Sequence, residues 1–512
     1  MRVNVRAKKL LAVILAVLLA FCAVPTSVAM AIGSTQKKVS ITLPKYYSAG
    51  GSSSHSLTEI KAVAATLNEG FKNYEEVVDI SEHNLHFNEQ DINFIVEVMS
   101  GYLPESFHVD AGFNIQYNEL TDRITGIVPT YLYTRSEYDV MFAKCTAEAN
   151  EILDGIKGND KLGDVEKALL IHDRIALLCE YDYDRYLHNA VPQISHRMYG
   201  VLGNHLAVCQ GYALTYGWLL DMVGIKNEYV SSNTLNHAWN IVYINDKPYH
   251  VDITADDPSW DITGRVLHKY FLCSTDRLRY DETQEDGKDI NHYAFDYNST
   301  PTDTTYDNYL WRDSRTAFTL LGDEIYYICN VHDHIMRYSD NAAIYDITDH
   351  WWADEAHKTW WADQARLDTD GNVLLFSLTD GIYSFNPENS KVRLIRKATL
   401  TSYFSVFGFT YDDGYLIYDI STTPNFDENT KKDFEVKVAW TPTVPDNTYE
   451  AGDINGDTYV TLDDVVLMAQ SVAGWSVEIK GASLDVNGDS DITLDDVVLL
   501  AQFVAGWSVT LS

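Results

Sequence analysis

Three residues in one compact block carry the chemistry open to this chain. Cys209 lies in AVCQGYALTYGWLL, His237 in NHAWNIVYIN and Asp252 in KPYHVDITADDP, at successive spacings of 28 and 15 residues. They supply a thiol nucleophile, an imidazole base and a carboxylate to orient it, the components of acyl transfer through a thioester. Cys209 opens a run in which Tyr212, Tyr216, Leu219, Leu220 and Val223 recur at helical spacing, with Gly224 as the stop. A helix start directs unpaired backbone N–H groups at its first residues and so favours a thiolate there. His237 and Asp252 stand on two strand-like runs that meet at Asn245 and Asp246, a pair suited to a two-residue hairpin turn. With the tip there, Ile244 faces Lys247 and Trp239 faces Asp252. His237 shares a face with Trp239, so Asp252 becomes its diagonal neighbour. A single Cys or His is usually packing; three in this order outweigh that reading.

The three blocks resemble the transglutaminase-like superfamily, whose core reads as Cys-x-Gly-Tyr-Ala, then His-Ala-Trp-Asn, then Asp-x-Thr followed by acidic residues and proline. The likeness is strong over residues 150–280 and weaker back to 57. It implies an α+β, papain-like catalytic domain over residues 57–290, in which Cys209 attacks an amide carbonyl, His237 is base and then acid, and Asp252 holds the imidazole. Tyr199 and the backbone N–H of Cys209 are candidate oxyanion donors. Ala255 stands where many relatives place Trp, which bears on the shape of the substrate groove. The implied substrate is a protein or peptide, and catalysis needs no cofactor. Whether water or an amine takes the acyl group separates a peptidase from a cross-linking transglutaminase; bacterial relatives are often regarded as peptidases, so hydrolysis leads. A non-catalytic binding or structural subunit is the rival reading. A glycoside hydrolase is a third, for which no pair of catalytic carboxylates stands out.

The elements that must position these residues are legible in part. DVEKALLIHDRIALLCEY reads as a helix with Ala168, Leu169, Ile171, Ile175 and Leu178 on one face and His172 as a core or surface residue. Residues 32–56, with Gly50-Gly51-Ser52-Ser53-Ser54, read as a linker. Residues 300–440 change to strand-like runs behind the turn glycines Gly322, Gly371 and Gly414, spaced 49 and 43 apart, as in propeller blades. Three units are too few to close a ring, so an open β module or a sandwich is equally compatible. The Trp-Trp-Ala-Asp repeats at Trp351 and Trp360 are assigned to packing rather than chemistry. Thr441 to Pro445 open a second linker, residues 441–450.

Residues 451–512 hold a duplication at an offset of 32 residues, GDINGDTYVTLDDVVLMAQSVAGWSV and LDVNGDSDITLDDVVLLAQFVAGWSV. Each copy begins Asp-x-Asn-x-Asp, placing side-chain oxygens at alternate loop positions, as a hard cation requires. The expected ligands in the first loop are Asp453, Asn455, Asp457, the Tyr459 carbonyl, Thr461 and Asp464. In the second they are Asp485, Asn487, Asp489, the Asp491 carbonyl, Thr493 and Asp496. Each loop runs into an amphipathic helix closed by Gly474 or Gly506. This resembles a type I dockerin, a small all-α module with one calcium ion in each loop. It departs from a full EF-hand in lacking the entering helix, in Asp at position twelve, and in Thr458 or Ser490 at position six. The resemblance implies docking on a cohesin module of a scaffoldin in a cellulosome-like complex. Leu462, Asp463, Leu494 and Asp495 are the candidate cohesin-binding positions.

The net charge of −36 over 512 residues argues against nucleic acid and anionic membrane surfaces as partners. Residues 1–31 read as a secretory signal, with Arg2, Arg6, Lys8 and Lys9, an apolar run, and Ala29-Met30-Ala31 as the cleavage site. No later stretch is long enough to span a bilayer, so a secreted protein is expected. The remaining Cys145, Cys179, Cys209, Cys273 and Cys329 are too sparse for a disulfide framework.

Overall fold

The structure, a computed structural model, describes residues 36–43, 55–232, 234–257, 259, 261–281, 284, 287–289, 292, 301–347, 365–378, 381–397, 405–421, 434–440, 451–456, 459–475, 477, 479, 484–489, 491–507 and 509–511. The signal segment, the linker 441–450, Trp351, Trp360, Asp457, Thr458 and Ser490 lie outside the described residues. Among those described, no helix is long and apolar enough to cross a membrane.

The chain opens with a correction to the linker. Residues Gln36–Thr42 form β1, which pairs antiparallel with a later strand. The physical signal is the alternation of Val39 and Ile41 with Lys38 and Ser40, which the adjoining Gly-Ser stretch obscures. Helix α1 (Leu57–Lys72) starts at Ser56, whose hydroxyl and the Glu59 carboxylate form a capping box. It buries Ile60, Val63, Ala64, Leu67 and Phe71, the spacing of one helical face. Then come β2 (Val78–Asp79), α2 (Glu89–Gly101), β3 (Gly112–Asn118) and β4 (Arg123–Val128). The sheet order is β1-β3-β4-β2, and α1 and α2 close a separate core over it.

The second layer holds the candidate site. Helices α3 (Arg135–Ile152) and α4 (Asp164–Leu178) precede β5 (Glu180–Tyr181), α5 (Tyr183–Leu187), α6 (Met198–Leu202), β6 (Leu206–Ala207) and α7 (Cys209–Met222). Strands β7 (Asn227–Ser232), β8 (His237–Ile244) and β9 (Lys247–Val251) form an antiparallel sheet in that order, followed by α8 (Ile253–Asp256) and α9 (Thr275–Leu278). Helix α7 is nearly all apolar and buried, so it is held on both sides: the Tyr216 hydroxyl donates to the Ala168 carbonyl of α4 (3.1 Å), and Asn240 of β8 donates to the Ala213 carbonyl (3.0 Å).

The β-rich part is three successive antiparallel meanders: β10 (Thr319–Leu321), β11 (Glu324–Cys329), β12 (His334–Arg337), β13 (Ala342–Asp346); β14 (Leu367–Thr369), β15 (Leu374–Leu378), β16 (Gly381–Asn386), β17 (Lys391–Lys397); and β18 (Ser405–Asp412), β19 (Tyr415–Ser421), β20 (Phe434–Ala439). Gly322, Gly371 and Gly414 sit in the first turn of each, all at positive φ. The sheets touch through their first strands, where Thr316 of the segment before β10 accepts from Leu367, and Asp368 accepts from Thr410 and Tyr411.

The boundary at residue 300 is not a boundary of the core. Strand β11 reads EIYYIC and is buried on both faces: Ile325, Tyr327 and Cys329 pack with the helices around α7, while Tyr326 and Ile328 pack toward the second meander. The C-terminal helices α10 (Leu462–Val472) and α11 (Leu494–Val504) share a small core of Ile454, Val465, Met468, Val486 and Leu500.

Candidate active site and calcium loops

Cys209 is the first residue of α7, behind an extended Val208 that offers no side-chain cap. It is 1% exposed and packs with Ala213, Ala238 and Tyr229. Gly211 explains part of the motif, because a Cβ there would lie 2.8 Å from the Ser195 carbonyl. The helix start can therefore press against the 195–197 segment. All five described cysteines are free and buried. Burial pushes the thiols of Cys145 and Cys273 up to about 12 and those of Cys179 and Cys329 upward as well.

His237 and Asp252 meet across the hairpin. Ile244 pairs with Lys247 and Asn240 with Val251, and the tip residues Asn245 and Asp246 both take positive φ, at 50° and 62°. The register places Asp252 diagonal to His237, and His237 Nε2 lies 2.6 Å from Asp252 Oδ2. The imidazole is also hydrogen-bonded to the Cys209 side chain. Burial works against a charged ring here, yet Asp252 and Cys209 outweigh it and hold the His237 pKa well above its ordinary value. Burial likewise opposes the Asp252 carboxylate, but the charge of His237 and hydrogen bonds from His237 and His292 keep it ionised well below the usual range. The three groups thus stand in series as a thiol, an imidazole and a carboxylate. Such a unit can attack a carbonyl carbon and return a proton to the leaving group.

Tyr199 sits on α6, with its ring 5.4 Å from Phe107 and its hydroxyl under the influence of Cys145 and Tyr133. Tyr181 and Tyr229 are the described tyrosines under the influence of Cys209, each held protonated by burial first and then by that neighbour. Tyr181 lines a cleft of about 430 Å³ with Glu180, Asp182, Asp184, Arg185 and Asp257. Ala255 follows the Asp252 turn and packs against the small core that holds Trp239 and Tyr270.

Sequence reasoning missed two groups. The first is His292, fully buried, with Nε2 2.7 Å from Asp252 Oδ2 and Nδ1 3.0 Å from Asp289 Oδ1. Its only local signal is the three-residue spacing from Asp289, common in any chain. The second lies behind the site. His172, read as an ordinary core or surface residue, places Nδ1 2.7 Å from Asp173 and Nε2 3.3 Å from Asp256, while His268 Nε2 lies 3.1 Å from Asp173. Asp173 also accepts the Phe318 N–H at 2.6 Å. The ligand-type atoms of His172, Asp173 and His268, and those of His237, Asp252 and His292, converge within 4.8 Å in each set. In both sets they are already engaged with one another.

The two loops at the C-terminus repeat each other in detail. Asp464 and Asp496, at position twelve, are fully buried. Asp464 accepts N–H bonds from Ile454 (2.8 Å), Asn455 (3.0 Å) and Thr461 (2.7 Å), and Asp496 accepts those from Val486, Asn487 and Thr493. Thr461 and Thr493 cap α10 and α11. Asp453 and Asp485 each take the N–H of the glycine three residues on, at 2.8 Å. Residues 451–512 carry ten acidic side chains against one basic, Lys480. Oxygen donors alone, with buried carboxylates and almost no basic partner, suit calcium. Leu462, Asp463, Leu494 and Asp495 are all exposed.

Residues 451–505 match the family described as Dockerin type I domain. Dockerins of this type bind calcium, in agreement with the donor set of both loops. No curated protein matches the chain. Among solved structures it is similar to a chain described as "Crystal structure of a TGase", at 13% identity and a TM-score of 0.20, over 27% of this chain and 42% of that one.

Proposed function

We propose that this protein is an exported thiol enzyme, attached through its dockerin to a cohesin module, that acts on protein or peptide amides. The observation that carries the enzymatic reading is the contiguous Cys209–His237–Asp252 unit, with 2.6 Å between imidazole and carboxylate and the thiol at a helix start. Cys209 attacks the amide carbonyl and forms the thioester. His237 delivers its proton to the departing amine and then removes one from the attacking water, while Asp252 keeps the ring oriented and charged. The cleft lined by Tyr181, a tyrosine under the influence of Cys209, is the candidate groove for an extended peptide. The dockerin offers an exposed apolar surface, including Leu462, Val466, Leu494 and Val498, for the partner. The loops hold calcium through Asp453, Asn455, Asp464 and their counterparts Asp485, Asn487 and Asp496; the ion fixes the loop from which each helix starts.

The test is alkylation followed by turnover. At neutral pH a small thiol electrophile modifies Cys209 ahead of the four other described cysteines, whose thiols are held protonated. The same treatment abolishes cleavage of a peptide library. Adding a primary amine then separates hydrolysis from acyl transfer by the product formed. Equal labelling of all cysteines, or full turnover by Cys209→Ala, would overturn the enzymatic reading and leave a docked binding subunit.

A further inference from the structure

His292 extends the reacting unit beyond the three residues that the chemistry requires. Asp252 Oδ2 receives two imidazole nitrogens, His237 Nε2 at 2.6 Å and His292 Nε2 at 2.7 Å. The other nitrogen of His292 faces Asp289 Oδ1 at 3.0 Å. An ionised carboxylate only accepts, so this geometry requires a proton on each nitrogen of His292. Asp289 is suited to hold that charge: its second oxygen takes the Tyr270 hydroxyl (2.6 Å) and the Lys269 ammonium (3.1 Å).

We propose that His292 is a positioning residue that clamps Asp252 and, as a buried cation between Asp252 and Asp289, limits the basicity of His237. This rests on the reading of Cys209 and His237 as a catalytic pair. Two effects follow. The second hydrogen bond leaves Asp252 Oδ2 one place to stand, so the imidazole of His237 is held toward Cys209. The charge of His292, whose ring centre lies 5.6 Å from that of His237, cancels part of the attraction that Asp252 exerts on the His237 proton. His237 can then release that proton to a leaving amine. Without the second cation it would hold the proton more tightly, and the acid half of the reaction would slow.

The surroundings agree with this placement. His292 is fully buried, edge-on to Trp239 at 5.6 Å and beside Tyr270 at 4.9 Å. Among the described residues, the titratable groups that face it are His250 from β9, Asp252 at the cap of α8, His237 from β8, and Tyr270 and Asp289 from the segments after α8 and α9. Lys269 and Arg279 are the further positive charges. His250 is pushed down to about 3, by burial first and then by the charges of His292 and Arg279. A neutral His250 leaves His292 as the second cation on Asp252.

The test is the pH dependence of Cys209 alkylation by iodoacetamide in the full chain, with kcat and KM on a cleaved peptide. In the wild type the rate changes where His237 loses its proton, and His237→Ala removes that inflection. His292→Phe keeps the ring packing but removes both donors. It moves the inflection upward by about one pH unit and lowers kcat with KM little changed. His292→Gln restores a neutral donor, so kcat recovers in part while the inflection stays displaced. Asp289→Asn removes the anion that keeps His292 doubly protonated and displaces the inflection in the same direction, which decides the matter even if the His292 variants fold poorly. An inflection unmoved in Asp289→Asn and in any folded His292 variant overturns the proposal while leaving Cys209 and His237 in place. A wild type with no inflection that His237→Ala removes overturns the catalytic pair, and this proposal falls with it.

Discussion

Replacing Asp173 with alanine should weaken the folded chain more than any other single change behind the site. The carboxylate is fully buried and holds His172 at 2.7 Å, His268 at 3.1 Å and the Phe318 N–H at 2.6 Å, joining α4 to the segment that leads into β10. Burial opposes a charged His172, yet hydrogen bonds and attraction from Asp173 and Asp256 raise its pKa from 6.5 to about 9. That rise corresponds to about 3 kcal/mol of stability, drawn from Asp173 and Asp256 together. The orphaned Phe318 N–H adds about 1–3 kcal/mol. With the attraction to His172 and His268 also lost, the expected cost is that of removing one partner from a buried charged pair, about 3–5 kcal/mol.

The pH dependence has a definite sign. His172 is raised in the fold, so its contribution is complete below 6.5 and disappears as pH rises through about 9. Asp173 is lowered, chiefly by the charges and hydrogen bonds of His268 and His172 against burial, so its contribution is present above 3.8 and fades as pH falls below that. The difference between wild type and Asp173→Ala is therefore largest between these limits and shrinks above pH 9. Urea unfolding followed by tryptophan fluorescence measures it, because Trp239 and Trp311 are almost fully buried in this region while Trp475 and Trp507 are exposed. A difference under about 1 kcal/mol, or one equally large at pH 6 and pH 10, would refute the reasoning.

Cys209→Ala and His237→Ala should lose peptide cleavage almost entirely, with Asp252→Asn milder by about ten- to hundredfold in kcat, as steady-state and burst kinetics will show. Asp464→Ala removes the acceptor of three backbone N–H groups and a calcium ligand, so calorimetry should record one fewer ion and loss of the calcium-dependent thermal transition; unchanged stoichiometry would exclude that loop as a site. Gly264 takes φ +77°, and an added Cβ would lie 1.8 Å from the Phe409 carbonyl, whose own N–H is bonded to Thr263 at 2.8 Å. Gly264→Ala should therefore cost at least about 2 kcal/mol and loosen the third meander, visible as a lower melting temperature and faster proteolysis there.

What the chain declares by itself is whatever repeats or alternates over short stretches. Helical spacing placed α4 and α7, the Asn245-Asp246 pair set the hairpin register that sends Asp252 toward His237, and the 32-residue duplication named both calcium loops. In each case the determinant is a period or a turn, contained within a few residues. The alternation in Gln36–Thr42 was of the same kind but too short to stand out beside a Gly-Ser stretch. Only tertiary structure could decide the rest. Asp252 and His292 are 40 residues apart, His172 and Asp256 are 84 apart, and Asp173 and Phe318 are 145 apart. The desolvation that makes those pairings matter belongs to the packed core and to no segment. The same packing sets Tyr199 on α6 against Phe107 and puts Tyr181 and Tyr229 under the influence of Cys209. It also joined β11 to the core of the helices, because a strand apolar on both faces takes a partner on each, and which partner is a property of the fold.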